Sequence, residues 1–98
     1  MEDVDLKARI EATLGTVTAS DLAAHLRRDA VLEVDGSVDL VACALAIAKD
    51  DAARVSAWLT AGVLKRLEPA QRDAWLAASE RRWRACVVQP FVLAQDMA

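Results

Sequence analysis

The side chains with the type and spacing to do chemistry are few. They are one histidine, one adjacent pair of aspartates, and one cysteine behind a run of arginines. His25 is the sole histidine, which excludes a His–His metal motif and obliges any nucleophile–base pair to use it. It follows "DLAA", one position off an apolar stripe, where a boundary histidine is the commoner occupant. Asp50 and Asp51 could act as an acid and base pair or hold a cation. A calcium loop, however, wants carboxylates at alternating positions and a closing Glu. Two Asp at the start of a helix are what a cap and the helix dipole prefer. Cys86 follows Arg81, Arg82 and Arg84, and an electropositive setting can activate a thiol. Strand alternation nevertheless puts Cys86 beside Val88 on one face, which predicts burial. Gly15, Gly36 and Gly62 stand alone as turn or cap residues, so no phosphate-cradling loop is present. The expectation is no catalytic residue, no metal site and no cofactor.

The elements that must position these residues are legible as a pattern. Leu6, Ile10 and Leu14 recur at helical spacing over Val4 to Leu14, and Gly15 stops that helix. Thr18, with Asp21 three residues on, is a weak capping box for a second helix that buries Leu22 and Leu26. "AVLEVDGS" predicts a strand closed by a turn, with Leu32 and Val34 facing one way and Val31 and Glu33 the other. A third helix is expected over Val38 to Lys49 with Ser37 as cap. A fourth is expected over Asp51 to Ala61, with Asp50 as cap and Gly62 as its C-terminal glycine. "VLKRL" alternates as a second strand. Pro69 opens a fifth helix on which Trp75, Ser79 and Trp83 would align. "RACVVQPFVLAQ" is a β-rich run apolar on both faces, in which Pro90 should mark a bulge, a bend or an edge. The fold class expected is α+β, with about five helices and a small three-stranded sheet in one domain over residues 1–98. Residues 38–67, a helix–turn–helix followed by a strand, form a winged-helix-like core.

Composition narrows the partners. Hydrophobic residues make up 55% of the chain and charged residues 28%, which predicts a folded domain rather than a disordered one. Residues 1–51 carry a charge balance of −6 and residues 52–98 one of +3. Such asymmetry seats a nucleic acid or complements another protein surface. The longest charge-free apolar run, "LVACALAIA", is about half the ~20 residues that span a bilayer. The acidic start "MEDVDLKARIEA" is unlike a secretory signal. With Cys43 and Cys86 far apart and in apolar contexts, a reduced, cytoplasmic protein with no membrane partner is expected.

A helix–turn–helix reads bases with the start of its second helix. Here that helix opens "DDAAR", so two carboxylates occupy the end that would meet a phosphate and Arg54 is its one cation. A specific binder neutralises about 6–10 phosphates. The cations on offer are Arg54, Lys65, Arg66, Arg72, Arg81, Arg82 and Arg84, which fall on at least three elements. Nucleic-acid binding through Arg54, Lys65, Arg66, Arg81, Arg82 and Arg84 is therefore the alternative to a non-catalytic protein-interaction or assembly module. A small enzyme or ligand-binding domain with a hidden site is the second alternative. If Pro90 places the last segment at the sheet edge, Phe91, Val92 and Leu93 would lie near the contact of a homodimer.

The segments "DLVACALAIAKDD" and "AWLTAGVL", Trp75 and Trp83, and the ending "VVQPFVLAQ" together resemble a set of small bacterial proteins, the domain of unknown function 2288. The resemblance runs from about Leu6 to Gln95. Its most specific part is the Val-Val-x-Pro-aromatic-Val-Leu-x-Gln ending. Phe91 stands there where Trp is expected, and Ala94 where a larger apolar residue is usual. The resemblance implies a one-domain bacterial protein and transfers no catalytic residue.

Overall fold

A computed structural model describes residues 3–97; Met1, Glu2 and Ala98 of the expected 1–98 domain lie outside the described residues. The element order is α1 (Asp3–Thr13), β1 (Gly15–Thr18), α2 (Ala19–Arg27), β2 (Val31–Val34), α3 (Leu40–Ala48), α4 (Ala52–Ala61), β3 (Leu64–Arg66), α5 (Pro69–Ala77), β4 (Arg82–Val88) and β5 (Phe91–Asp96). Five strands form one mixed sheet in the order β1-β4-β5-β2-β3, so the expected count of three is corrected to five. The β2–β5 pair is parallel and the other pairs are antiparallel.

Two of the five strands were hidden for different reasons. "RACVVQPFVLAQ" contains two strands: Gln89 and Pro90 make the turn between β4 and β5, which pair from Val88↔Phe91 to Trp83↔Asp96. Pro90, with no N–H to donate, bends the chain back on itself. The other strand is β1, whose sequence Gly-Thr-Val-Thr is too short to show a convincing alternation. The expected alignment of Trp83 with Trp75 on α5 is also corrected. That helix stops at Ala77, and Trp83 lies on β4.

The sheet is covered on both faces. Cys86 and Val88 of β4, Leu93 of β5, and Leu32 and Val34 of β2 pack on one side with Ile10 of α1 and Leu40, Cys43 and Ala44 of α3. Trp83 and Ala85 of β4, Val92 and Ala94 of β5, and Val31 of β2 pack on the other with Leu22 and Leu26 of α2 and Trp75 of α5. The strict alternation of β4 and β5 between two apolar cores explains why that run is hydrophobic at almost every position.

Local chemistry sets the helix starts. Thr18 and Asp21 form a full capping box, the Thr18 side chain accepting from the Asp21 N–H and the Asp21 carboxylate accepting from the Thr18 N–H at 2.9 Å. Asp39, rather than Ser37, caps α3, accepting from the N–H groups of Val41 and Ala42. Asp51, rather than Asp50, caps α4, accepting from the Arg54 N–H, while Asp50 adopts a left-handed φ of 57° in the turn. Asp tolerates that conformation better than most residues, so each of the two aspartates has a conformational task. Gly62 ends α4 at φ 77°, as its position predicts.

Candidate interaction surface

The residues with catalytic potential are engaged structurally. His25, in the last turn of α2, is half-buried and accepts from the Arg28 guanidinium at 2.6 Å through Nδ1. Cys43 and Cys86 are free thiols buried in the same core. Burial pushes both thiols up to about 11, and the nearby Cys86 adds to the effect on Cys43. A nucleophile needs the opposite shift.

A polar cleft of about 180 Å³ opens where parallel β2 and β5 end, lined by Glu33, Asp35, Lys65, Asp96, Gly36 and Gly62. Ligands favour this end of parallel strands. Here, however, the charges are mutually bound. Lys65 lies 3.5 Å from Glu33, and Arg81 is ion-paired to Asp96. The Ser37 hydroxyl and N–H both donate to Asp35 and hold its carboxyl below the ordinary value. Among the described residues, no group of three or more His, Cys, Asp and Glu is placed to hold a metal ion.

The six cations named for nucleic-acid contact are dispersed. Arg54 lies on α4 with its guanidinium 5.0 Å from the centre of the Trp58 ring. Lys65 and Arg66 lie on β3, at one edge of the sheet, and Arg66 is bound to Asp29 at 2.6 Å. Arg82 and Arg84 lie on β4, beyond β2 and β5 from that edge. Adjacent strands are about 4.8 Å apart, so roughly 14 Å of sheet separates the two groups. Arg81 lies over the Trp83 ring at 5.3 Å and the Trp75 ring at 6.0 Å. Of the six, Arg82 and Arg84 share one face of one strand.

The placement expected for Phe91, Val92 and Leu93 is corrected as well. They belong to β5, the central strand, with β4 on one side and β2 on the other. Val92 and Leu93 are buried and Phe91 is half-buried. The turn at Pro90 lets β5 enter the sheet as an interior strand, so these residues present no edge.

The edges are β1 and β3, and they differ in chemistry. β3 carries Lys65 and Arg66, the sort of charge that guards a free edge. β1, Gly-Thr-Val-Thr, carries neither charge nor proline. Its register is Gly15↔Ala85, Thr16↔Arg84, Val17↔Trp83 and Thr18↔Arg82. The Thr18 N–H is held by Asp21 and not by β4. Bonded and non-bonded pairs alternate in an antiparallel ladder, so the N–H and C=O of Thr16 also point away from β4, towards the open side. Thr16, Arg82 and Arg84 are exposed, and the two arginines share the sheet face of Cys86. Neither arginine has an ion-pair or hydrogen-bond partner among the described residues.

Residues 5–96 match the family described as "Protein of unknown function (DUF2288)". The chain belongs to that family. It is also similar to the solution structure of PA1075 from Pseudomonas aeruginosa, at 33% identity and a TM-score of 0.80, over 96% of this chain and 86% of that one. No curated protein sequence matches. Membership in DUF2288 brings no activity with it. Thr16 is the residue of interest that pattern reading passed over. The signal available was a Thr-Val-Thr alternation free of the Lys or Pro that usually protects an edge.

Proposed function

We propose that this DUF2288 protein is a non-catalytic interaction module of the bacterial cytoplasm, one domain over residues 1–98 that docks a protein partner at the β1 edge. The observation that carries this is the open edge at Thr16, whose backbone is directed outward beside Arg82 and Arg84, both exposed and without an ion-pair partner among the described residues. Strand addition to such an edge satisfies main-chain groups, and the flanking side chains select the sequence. The helix–turn–helix–strand order of residues 38–67 serves in this account as a winged-helix-like scaffold with no base-reading role. The homodimer expected through Phe91, Val92 and Leu93 has no part in this reading, because β5 is the central strand.

Affinity purification from the native cell tests the proposal with three forms of the chain. Thr16→Pro removes the outward N–H and is tolerated where that N–H faces solvent. Arg54→Ala alters α4 and leaves the edge intact. A partner recovered with wild type and Arg54→Ala but lost with Thr16→Pro supports docking at β1. A partner kept by Thr16→Pro and lost by Arg54→Ala places the function on α4 and refutes it.

A further inference from the structure

We propose that Asp35 is a site of spontaneous backbone modification and that the Ser37 side chain sets its rate. The Asp35 carboxyl closes onto the Gly36 nitrogen as a succinimide, which opens to isoaspartate. The turn after β2 presents Asp35, Gly36 and Ser37, all three exposed. Gly36 has no side chain to obstruct ring closure, and a Cβ added there would meet nothing within 4 Å, so no group from elsewhere in the fold crowds it. Its N–H donates to no acceptor among the described residues, so no hydrogen bond has to break before the nitrogen attacks.

The step balances within the chain and water. The Gly36 nitrogen bonds to the Asp35 Cγ, and one carboxyl oxygen leaves as water with the acid proton and the amide proton. Water then adds to the ring. Opening at Cγ restores aspartate, whereas opening at the Asp35 carbonyl carbon leaves the main chain running through Cγ as isoaspartate. No oxidant, cofactor or second substrate takes part. The reacting form is the carboxylic acid, because an ionised carboxylate is a poor acceptor for a nucleophile.

Ser37 acts on that form. Its hydroxyl donates to the Asp35 Oδ2 at 2.5 Å, and its N–H donates to the same oxygen at 2.9 Å. Both bonds favour the ionised carboxylate, the hydroxyl more than the N–H, and so deplete the acid. The surrounding backbone is held as well. The Asp35 N–H donates to the Val63 carbonyl at 2.8 Å, and the Asp35 carbonyl accepts from the Val38 N–H at 3.1 Å and from the Gln95 side chain at 2.9 Å. Isoaspartate turns that carbonyl into a free carboxylate and adds a methylene to the main chain. It therefore alters both the join between β2 and α3 and the anchoring of Gln95 on β5.

The test is the isoaspartate content at residue 35 of the full chain after weeks at physiological temperature and mildly acidic pH. Fragmentation mass spectrometry separates the two linkages. Wild type, Ser37→Ala and Ser37→Thr are compared with blocked peptides Glu-Val-Asp-Gly-Ser-Val and Glu-Val-Asp-Gly-Ala-Val. Loss of one hydrogen bond to a carboxylate should speed Ser37→Ala roughly threefold to tenfold over wild type. Ser37→Thr, which keeps the hydroxyl, should stay near wild type. The two peptides should convert at similar rates, faster than folded wild type. The Asp35 carboxyl titration, followed by NMR, should move up in Ser37→Ala and stay in place in Ser37→Thr. Equal rates in wild type and Ser37→Ala would overturn the role of Ser37. So would a Ser-to-Ala effect as large in the peptides as in the folded chain, or acceleration with an unmoved titration, which marks a general loosening of the fold. Absence of isoaspartate in folded Ser37→Ala while the peptides convert would remove the site itself.

Discussion

Trp75 of α5 stacks on Trp83 of β4, with ring centroids 4.7 Å apart and planes inclined by 28°. The pair joins the α2/α5 layer to the sheet, and Trp83 is fully buried while Trp75 is 3% exposed. Offset stacking adds about 0.5–1.5 kcal/mol to the burial of two large apolar surfaces.

Trp75→Ala is expected to destabilise the chain by about 3–5 kcal/mol, a large share of the stability of a domain this size. Equilibrium urea unfolding measures it. A midpoint within error of wild type would show that the stack carries little of the packing.

Much of this fold is legible in the sequence where a residue acts locally. The Thr18–Asp21 box, Gly62, Leu22 with Leu26, and the alternation of Leu32 and Val34 each declare their role within a few positions. What depends on long-range pairing is not. Trp83 keeps helical spacing from Trp75, yet Ser79 and Glu80 turn the chain and place it on a strand that stacks back on the helix. Gly15 reads as a helix stop, and only its pairing with Ala85 makes it the start of β1. The candidate edge was illegible for the same reason: an edge is defined by which strands pair, and β5 rather than β1 looks unpartnered when each is read alone.

Gly62 and Gly36 separate backbone strain from space. A Cβ at either position meets no atom within 4 Å, but Gly62 has a φ of 77°. Gly62→Ala is expected to cost about 1–2 kcal/mol from the left-handed conformation alone. Gly36→Ala should cost clearly less. Thermal unfolding of the two variants compares them directly, and equal losses would contradict the assignment.

The buried thiols predict a loss of stability in alkali. Their ordinary value is 9.0 and the fold raises it to about 11, so between these limits the unfolded chain sheds protons that the folded chain retains. Stability is fully present below pH 9 and falls as pH rises through that window. A Cys43→Ala/Cys86→Ala variant should start lower and show a flatter decline. The wild-type thiols should also react with an aromatic disulfide reagent at pH 8 no faster than the chain unfolds. Stoichiometric reaction within seconds would show them accessible.

Sequence-specific DNA binding is expected to be absent at ~150 mM salt, where non-specific contacts are weak. Asp51 caps the helix that would enter the groove, and Arg54 leans over Trp58. A selection experiment with random duplexes tests this. Recovery of a tight consensus that Arg54→Ala abolishes would overturn it.

Hydrogen exchange of β1 in the complex tests docking at the sheet edge most directly. The purified partner is added to the full chain, and exchange is followed by mass spectrometry over segments 14–18 and 52–61. The account predicts slowed exchange at 14–18, where the Thr16 N–H gains an acceptor, with 52–61 unchanged. Slowed exchange at 52–61 with 14–18 exchanging as in the free chain would contradict it.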